Sequence, residues 1–189
     1  WEIKTNTENN GESILSDVAK AVDNKLAQEA ISKDDMQGIG IGVPGPVDSQ
    51  GVVHRCVNLG WGVVNVAEEL GNLTGLKIKV GNDANVAALG EMWQGGAKGS
   101  KDVIMVTLGT GVGGGIIVDG KVVAGFNGAG GEIGHITVNN DEIEACNCGQ
   151  YGCLEQYTSA TGIVRLAKRK LAKSTEETSI REIPNLTAK

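Results

Sequence analysis

The chain contains few aromatic residues and little sulfur. Aromatic residues make up 3% of its 189 positions, and there are four cysteines and two histidines. Bulky aromatic packing is therefore excluded as the main basis of the core, whereas 29 glycines predict close approaches between backbone segments. The hydrophobic content of 40% is typical of a folded protein with a core.

An excess of positive charge and a long apolar run are also missing. The net charge is −6, so the chain lacks the basic surface that binds nucleic acid phosphates. The basic cluster RLAKRK, residues 165–170, is predicted to be the solvated face of a helix. No apolar run reaches the roughly 18 residues that cross a bilayer, and no signal sequence is evident. We therefore expect a cytoplasmic protein without nucleic acid or membrane partners.

The hydrophobic pattern predicts alternating helices and strands. Apolar residues from Ile14 to Leu26 recur with the spacing of an amphipathic helix. Further helices are predicted over residues 65–73, behind Asp83 as N-cap, and over 159–172. The predicted strands are residues 38–43, 52–57, 76–80, 102–109, 115–120 and 121–125. This order indicates an α/β protein with lobes of residues 1–94 and 95–189, joined by the linker GGAKGSK.

Three of the four cysteines lie in EACNCGQYGC, residues 144–153. Cys146 and Cys148 are separated by one residue, which places them poorly for a disulfide with each other. A closed site of three thiolates and one imidazole suits a structural Zn²⁺. The predicted ligands are His135, Cys146, Cys148 and Cys153. The alternative is a chance cluster of buried thiols, and the isolated Cys56 is predicted to be a core residue.

The glycine run GTGVGGG, residues 109–115, matches the pattern G-x-G-x-x-G of dinucleotide-binding folds. Those folds need a helix next, but GIIVDGKVVAG follows and predicts a strand, a turn at Asp119-Gly120 and a strand. We therefore expect a β-hairpin whose glycine-rich tip holds phosphate oxygens through backbone N–H groups, with Thr110 adding a hydroxyl. The alternative is a flexible tip without a ligand.

Five polar side chains are candidates for binding a polyol. Asn82 and Asp83 follow a predicted strand, and Glu132 and His135 share one possible helical turn in GEIGH. Glu155 follows the last cysteine. Carboxylates and amides can bind neighbouring hydroxyls, and a carboxylate within reach of one hydroxyl can act as a general base. The E-x-x-H spacing also occurs in di-iron bundles, but the long helices and repeated partners of such bundles are missing here.

The motifs GVPGPVD, GNDANVAALGE, TLGTGVGGGII, GAGGEIGH and CNCGQYGCLEQ together resemble the ROK family of sugar kinases, most closely its bacterial glucokinase branch. The resemblance covers about residues 38 to 165. It implies the actin-like, ribonuclease H-like ATPase fold, in which two lobes enclose a cleft. It also implies a homodimer or homotetramer.

The resemblance further implies ATP-dependent phosphorylation of glucose at its 6-hydroxyl, with Mg²⁺ accompanying ATP and Asp83 as the general base. The other sugar hydroxyls would be bound by Asn82, Glu132, His135 and Glu155. The ATP phosphates would be bound by Gly109, Thr110, Gly111, Val112 and Gly113. The zinc site of the family would correspond to the His135 and cysteine set and would lie next to the sugar.

Two departures and three alternatives accompany this resemblance. Family kinases begin with a strand carrying an Asp-x-Gly-Gly-Thr phosphate motif, which this sequence lacks, and the C-terminal helices of the nucleotide pocket are also missing. We therefore expect an internal fragment that is incomplete at both ends and whose own activity is in doubt. The alternatives are a sugar-sensing transcriptional repressor of the same family, a kinase for N-acetylmannosamine, mannose or fructose, and a purely structural zinc domain.

Overall fold

Helices and strands alternate along the chain, as the sequence predicts. The computed structural model describes residues 1–188. Its helices are α1 (Ile14–Gln28), α2 (Val66–Thr74), α3 (Asp83–Gln94), α4 (Glu155–Thr158) and α5 (Ala160–Lys173). Its strands are β1 (Ile39–Val43), β2 (Val52–Val53), β3 (Val64–Asn65), β4 (Ile78–Asn82), β5 (Val103–Leu108), β6 (Val112–Val118) and β7 (Lys121–Val122). Within residues 1–188, no helix is long and apolar enough to cross a membrane.

The first sheet carries the main hydrophobic core. Strands β1 and β4 pair in parallel, from Ile39 opposite Ile78 to Val43 opposite Asn82. Because both strands run the same way, their carboxyl ends meet at one edge, where Asn82 lies. The core against this sheet comprises Ile14, Leu15, Val43, Val47, Val53, Cys56, Trp61 and Val66. Cys56 is 3% exposed, which confirms its predicted place in the core.

Two predicted strands are shorter in the structure. The segment 52–57 forms a strand only as β2, because Cys56 pairs with Trp61 around a 3₁₀ turn at Val57–Leu59. The predicted strand 121–125 is reduced to β7. The predicted strand residues beyond Val53 and beyond Val122 were therefore wrong. In both places the chain leaves the strand within a run of β-prone residues, and where it does so depends on tertiary contacts.

The helix after β4 begins one residue earlier than the sequence analysis placed it. The side chain of Asn82 is the cap and accepts a hydrogen bond from the N–H of Asn85 at 3.1 Å. Asp83 is the first helical residue, and its carboxylate accepts from the N–H of Ala84 at 2.8 Å. The prediction of Asp83 as N-cap is therefore wrong, and its carboxylate instead lies at the positive end of the helix dipole.

Strands β2 and β3 form a short antiparallel pair of their own, and the second main sheet has the order β5, β6, β7 with all of its strands antiparallel. Strand β6 begins at Val112 rather than at the predicted Gly115, so the tip of the hairpin is limited to residues 109–111. The glycines belong to the strand because α3 lies directly against it. A Cβ at Gly115 would lie 2.5 Å from Cβ of Ala88, and one at Gly113 would lie 3.1 Å from Cβ of Ala84.

This close contact predicts a difference between two glycine-to-alanine changes. Gly115→Ala should lower the free energy of unfolding by about 1–3 kcal/mol because the new methyl group overpacks the contact with α3. Gly90 lies within α3 and faces open space, so Gly90→Ala should raise the stability by up to about 1 kcal/mol. Urea unfolding of both variants of the complete protein would measure the two effects. A midpoint unchanged in Gly115→Ala would contradict the packing described here.

Helix α3 connects the two sheets. It contacts β5 and β6 extensively and also touches β1 and β4. The predicted division into residues 1–94 and 95–189 remains a prediction, and α3 lies on its border. Asp83, the first residue of α3, thus directly follows the carboxyl end of β4 and lies beside the hairpin formed by β5 and β6.

Candidate functional site

The carboxylate of Asp83 lies where the first sheet meets the hairpin. Asn82 precedes it, and the Asn82 side-chain nitrogen donates to the carbonyl oxygen of Gly45 at 3.1 Å. Ala84 follows it and faces Gly113 of β6. These neighbours on both sides fix Asp83 at the junction of β4, α3 and the hairpin.

Glu132 and His135 share the single turn that the sequence predicts. Residues Ile133–His135 form a 3₁₀ turn, and the His135 N–H donates to the Glu132 carbonyl oxygen at 3.1 Å. Burial raises the pKa of Glu132; the nearby His135 opposes this rise, and the negative charges of Asp83 and Glu155 add to it. Three of the other predicted polyol-binding side chains, Asp83, His135 and Glu155, therefore lie near enough to Glu132 to affect its ionisation.

The four predicted metal ligands also come together. The ligand atoms of His135, Cys146, Cys148 and Cys153 all lie within 4.8 Å of one another. Cys146 Sγ is 3.8 Å from His135 Nδ1, and Cys148 Sγ is 3.6 Å from Cys153 Sγ. All four cysteines are free thiols. The other ring nitrogen of His135, Nε2, is 4.0 Å from Glu132 Oε2, so the imidazole lies between the sulfur cluster and the Glu132 carboxylate.

The thiol cluster has the chemistry of a structural metal centre. Burial raises the pKa of the Cys146 and Cys153 thiols, so both are protonated without a cation nearby. A divalent ion would displace these protons, because the thiolate is the form that binds metal. Three sulfurs and one imidazole nitrogen at this mutual distance fit the closed tetrahedral site that Zn²⁺ prefers. The donor set therefore fits the predicted ion.

Glu155 joins the sulfur cluster to the hairpin. Its Oε1 lies 3.1 Å from Cys146 Sγ and 3.8 Å from His135 Nδ1. Its Oε2 accepts a hydrogen bond from the N–H of Val112 at 3.3 Å. The Glu155 carboxylate thus lies beside two of the four predicted metal ligands and also bonds to the first residue of β6.

The hairpin tip is held by the start of α5. The Gly109 carbonyl oxygen accepts from the N–H of Ala160 at 2.9 Å, and the Thr110 carbonyl oxygen accepts from Thr161 Oγ1 at 2.7 Å. The N–H of Gly109 is itself bonded to the Gly111 carbonyl oxygen at 3.0 Å. These contacts favour a fixed loop over the flexible tip that the sequence left open.

A buried acid was not predicted from the sequence, and the surroundings of two arginines were predicted wrongly. Glu142 is 6% exposed, and the side chains of Arg165 and Arg169 bind it and are only 22% and 33% exposed. The cluster RLAKRK was predicted to be a solvated face, which is wrong for these two arginines and right for the exposed Lys168 and Lys170. The helical spacing of the two arginines was the available signal, but no local pattern marked the acid that they bind.

Comparison with known proteins places this site in a family. The ROK family matches residues 2–189, so the chain belongs to the ROK family. It is similar to a glucokinase of Halalkalibacterium halodurans, with 48% identity over 168 residues that cover 88% of this chain and 51% of that protein. The chain thus spans about half the length of the curated relatives it matches.

Two solved structures resemble the fold. A ROK family glucokinase from Streptomyces griseus, in complex with glucose and AMPPNP, is 36% identical with a TM-score of 0.78, covering 95% of this chain and 55% of that one. A ROK family transcriptional regulator, a homologue of the E. coli MLC protein, is 26% identical with a TM-score of 0.80, covering 93% and 44%. The predicted actin-like fold of the family is confirmed.

Proposed function

We propose that the complete protein transfers the γ-phosphoryl group of ATP to the 6-hydroxyl of glucose. The observation that carries this proposal is the grouping of Asp83, Glu132, His135 and Glu155 around one space beside the hairpin. Similarity to the Halalkalibacterium halodurans glucokinase and to the glucose and AMPPNP complex supports it. Phosphoryl transfer depends mainly on positioning and charge, which such a set of side chains supplies.

In this proposal Asp83 is the general base. Its carboxylate takes the proton from the sugar 6-hydroxyl while that oxygen attacks the γ-phosphorus and the bond from phosphorus to the ADP oxygen breaks. Glu132, His135 and Glu155 bind the other hydroxyls. Asn82 uses its side-chain oxygen on Asn85 and one amide hydrogen on Gly45, so its second amide hydrogen remains for the sugar.

The ATP phosphates are proposed to lie at the hairpin tip, with Mg²⁺ bound to them. Among the predicted positions 109–113, the N–H groups of Gly109 and Val112 are already engaged within the protein. Gly113 is paired with Thr107 in the sheet, so the role of N–H donor falls mainly to Thr110 and Gly111. The Thr110 hydroxyl adds a further donor.

The proposed zinc ligands are His135, Cys146, Cys148 and Cys153. The ion would supply a fixed orientation for His135 through Nδ1, the nitrogen that faces the sulfurs. Nε2 then faces Glu132 and the sugar space.

We also propose that the complete protein is cytoplasmic. We further propose that it forms a dimer or tetramer; light scattering of the purified protein would measure the mass of this assembly.

A sugar-sensing repressor is the second candidate, supported by the similarity to the transcriptional regulator. An ADP-release assay on the complete protein with glucose, N-acetylmannosamine, mannose and fructose separates the candidates. We expect glucose to give the highest kcat/KM. Equal or faster turnover of fructose would contradict the assignment to glucose. Glucose binding in calorimetry without ADP release from any of these hexoses would support the repressor instead.

A further inference from the structure

A buried carboxylate, that of Glu142, precedes residues 144–153, which we call the cysteine loop, and lies outside the site described above. The Glu142 side chain is 1% exposed. Its Oε2 accepts a hydrogen bond from Tyr157 Oη at 2.6 Å, and its Oε1 accepts from the N–H groups of Ile143 and Glu144 at 3.0 and 3.1 Å. The Tyr157 bond is the largest cause that holds the pKa of Glu142 well below its usual range; burial opposes it, and bonds from Arg165, the Glu144 N–H and Arg169 lower the pKa further. Glu142 is therefore a charged group inside the protein.

Two arginines of α5 neutralise this charge. Arg165 Nη2 and Arg169 Nη1 each lie 3.0 Å from Glu142 Oε2, and Arg165 Nη1 lies 2.9 Å from Glu144 Oε2. The Arg165 guanidinium also lies over the Tyr157 ring, 5.5 Å from its centroid. We call Glu142, Glu144, Tyr157, Arg165 and Arg169 the carboxylate clamp. A buried carboxylate with this many charged and neutral donors is rigidly held.

The clamp fixes the backbone that leads into both ends of the cysteine loop. Gln156 extends it, because Gln156 Nε2 donates to the Glu144 carbonyl oxygen at 2.9 Å and Gln156 Oε1 accepts from the Cys153 N–H at 3.0 Å. The loop contains no regular strand: its backbone is held by turn hydrogen bonds, such as Cys146 N–H to the Gln150 carbonyl oxygen at 2.7 Å, and by the isolated bridges of Ala145 with Tyr151 and Thr137 with Cys153. The Gln156 side chain adds the link between the two ends of this loop, at Glu144 and Cys153.

We propose that the carboxylate clamp positions Cys146 and Cys153 for metal binding, which makes Glu142 and Arg169 positioning residues of the metal centre. This inference depends on the proposed zinc site. A loop held in its binding shape loses less conformational entropy when the ion binds, so its affinity is higher. Partners of this kind, which do not touch the metal, typically change metal affinity by about 10–100-fold.

Competition with a chromophoric zinc chelator tests the inference on the complete protein. Glu142→Gln and Arg169→Gln should each weaken zinc binding by about tenfold or more. Lys168→Gln removes a positive charge from the exposed face of the same helix, takes no part in the clamp and should bind zinc like the wild type. Arg169→Gln leaves Glu142 bonded to Tyr157 and Arg165, so it tests the clamp even if Glu142→Gln does not fold.

A second readout separates positioning from general stabilisation. In both clamp variants the glucose KM should rise at limiting zinc and return to the wild-type value at saturating zinc, whereas a purely structural defect would not respond to zinc. Clamp variants that bind zinc as tightly as the wild type would overturn the inference and leave the metal site intact. A wild-type protein that binds no zinc would overturn the metal site as well.

Discussion

Asp83→Asn in the complete protein is expected to lower kcat for glucose phosphorylation by about 10²–10⁴-fold. An amide at this position cannot accept the proton of the attacking hydroxyl. The substitution is nearly isosteric, and the N-cap of α3 is the neighbouring Asn82, so the helix should form as before. The glucose Kd should therefore change little. Steady-state kinetics and calorimetric glucose binding would measure the two quantities.

The matched control for this change is Asp23→Asn. Asp23 is exposed on α1 and pairs with Lys33, remote in the chain from the polar side chains of the site. Its variant should retain wild-type kcat. An Asp83→Asn enzyme with normal kcat would remove Asp83 from the role of base, and an enzyme that lost glucose binding equally would indicate a binding role instead.

Cys148→Ser is expected to lose stoichiometric zinc and to raise the glucose KM. A serine hydroxyl does not replace a thiolate as a zinc ligand, because it stays protonated near neutral pH. Cys148 is the exposed member of the cluster, so the substitution does not disturb the core. The KM rises because His135, without the ion, is no longer held with Nε2 toward the sugar. Metal analysis and glucose kinetics would measure both effects.

Cys56→Ala provides the control for thiol removal. Cys56 lies in the core of the first sheet, so this variant should lose some stability but keep its zinc. Full zinc content in Cys148→Ser would contradict the ligand assignment. Loss of zinc with an unchanged glucose KM would contradict the link through His135.

The sequence predicted the elements whose signals are local. The spacing of apolar residues predicted α1, and the helix predicted over residues 65–73 is α2, which Asn65 caps and the left-handed Gly75 ends. The cysteine spacing and the single nearby histidine predicted a cluster that the structure brings within 4.8 Å. Signals of this kind need only a few neighbouring residues, so they can be read without the fold.

The remaining features depend on contacts between distant segments. The glycines of β6 resembled a loop because the reason for them, the approach of α3, lies elsewhere in the chain. Either Asn82 or Asp83 could cap a helix, and the pairing of β4 with β1 up to Asn82 decided between them. The buried Glu142 was missed because its partners Arg165 and Arg169 follow on a separate helix. Tertiary contacts override local preference in each case.

The close fit of α3 against β6 has a mechanical consequence. The methyl groups of Ala84 and Ala88 fill the space above Gly113 and Gly115, so a shift of the helix along the strand would bring these methyl groups against residues of β6 that carry side chains. Asp83 and the hairpin tip therefore move as one rigid body. If the complete protein closes around its proposed substrates, we expect the hinge to lie outside this body, so that the distance between Asp83 and the hairpin tip stays constant.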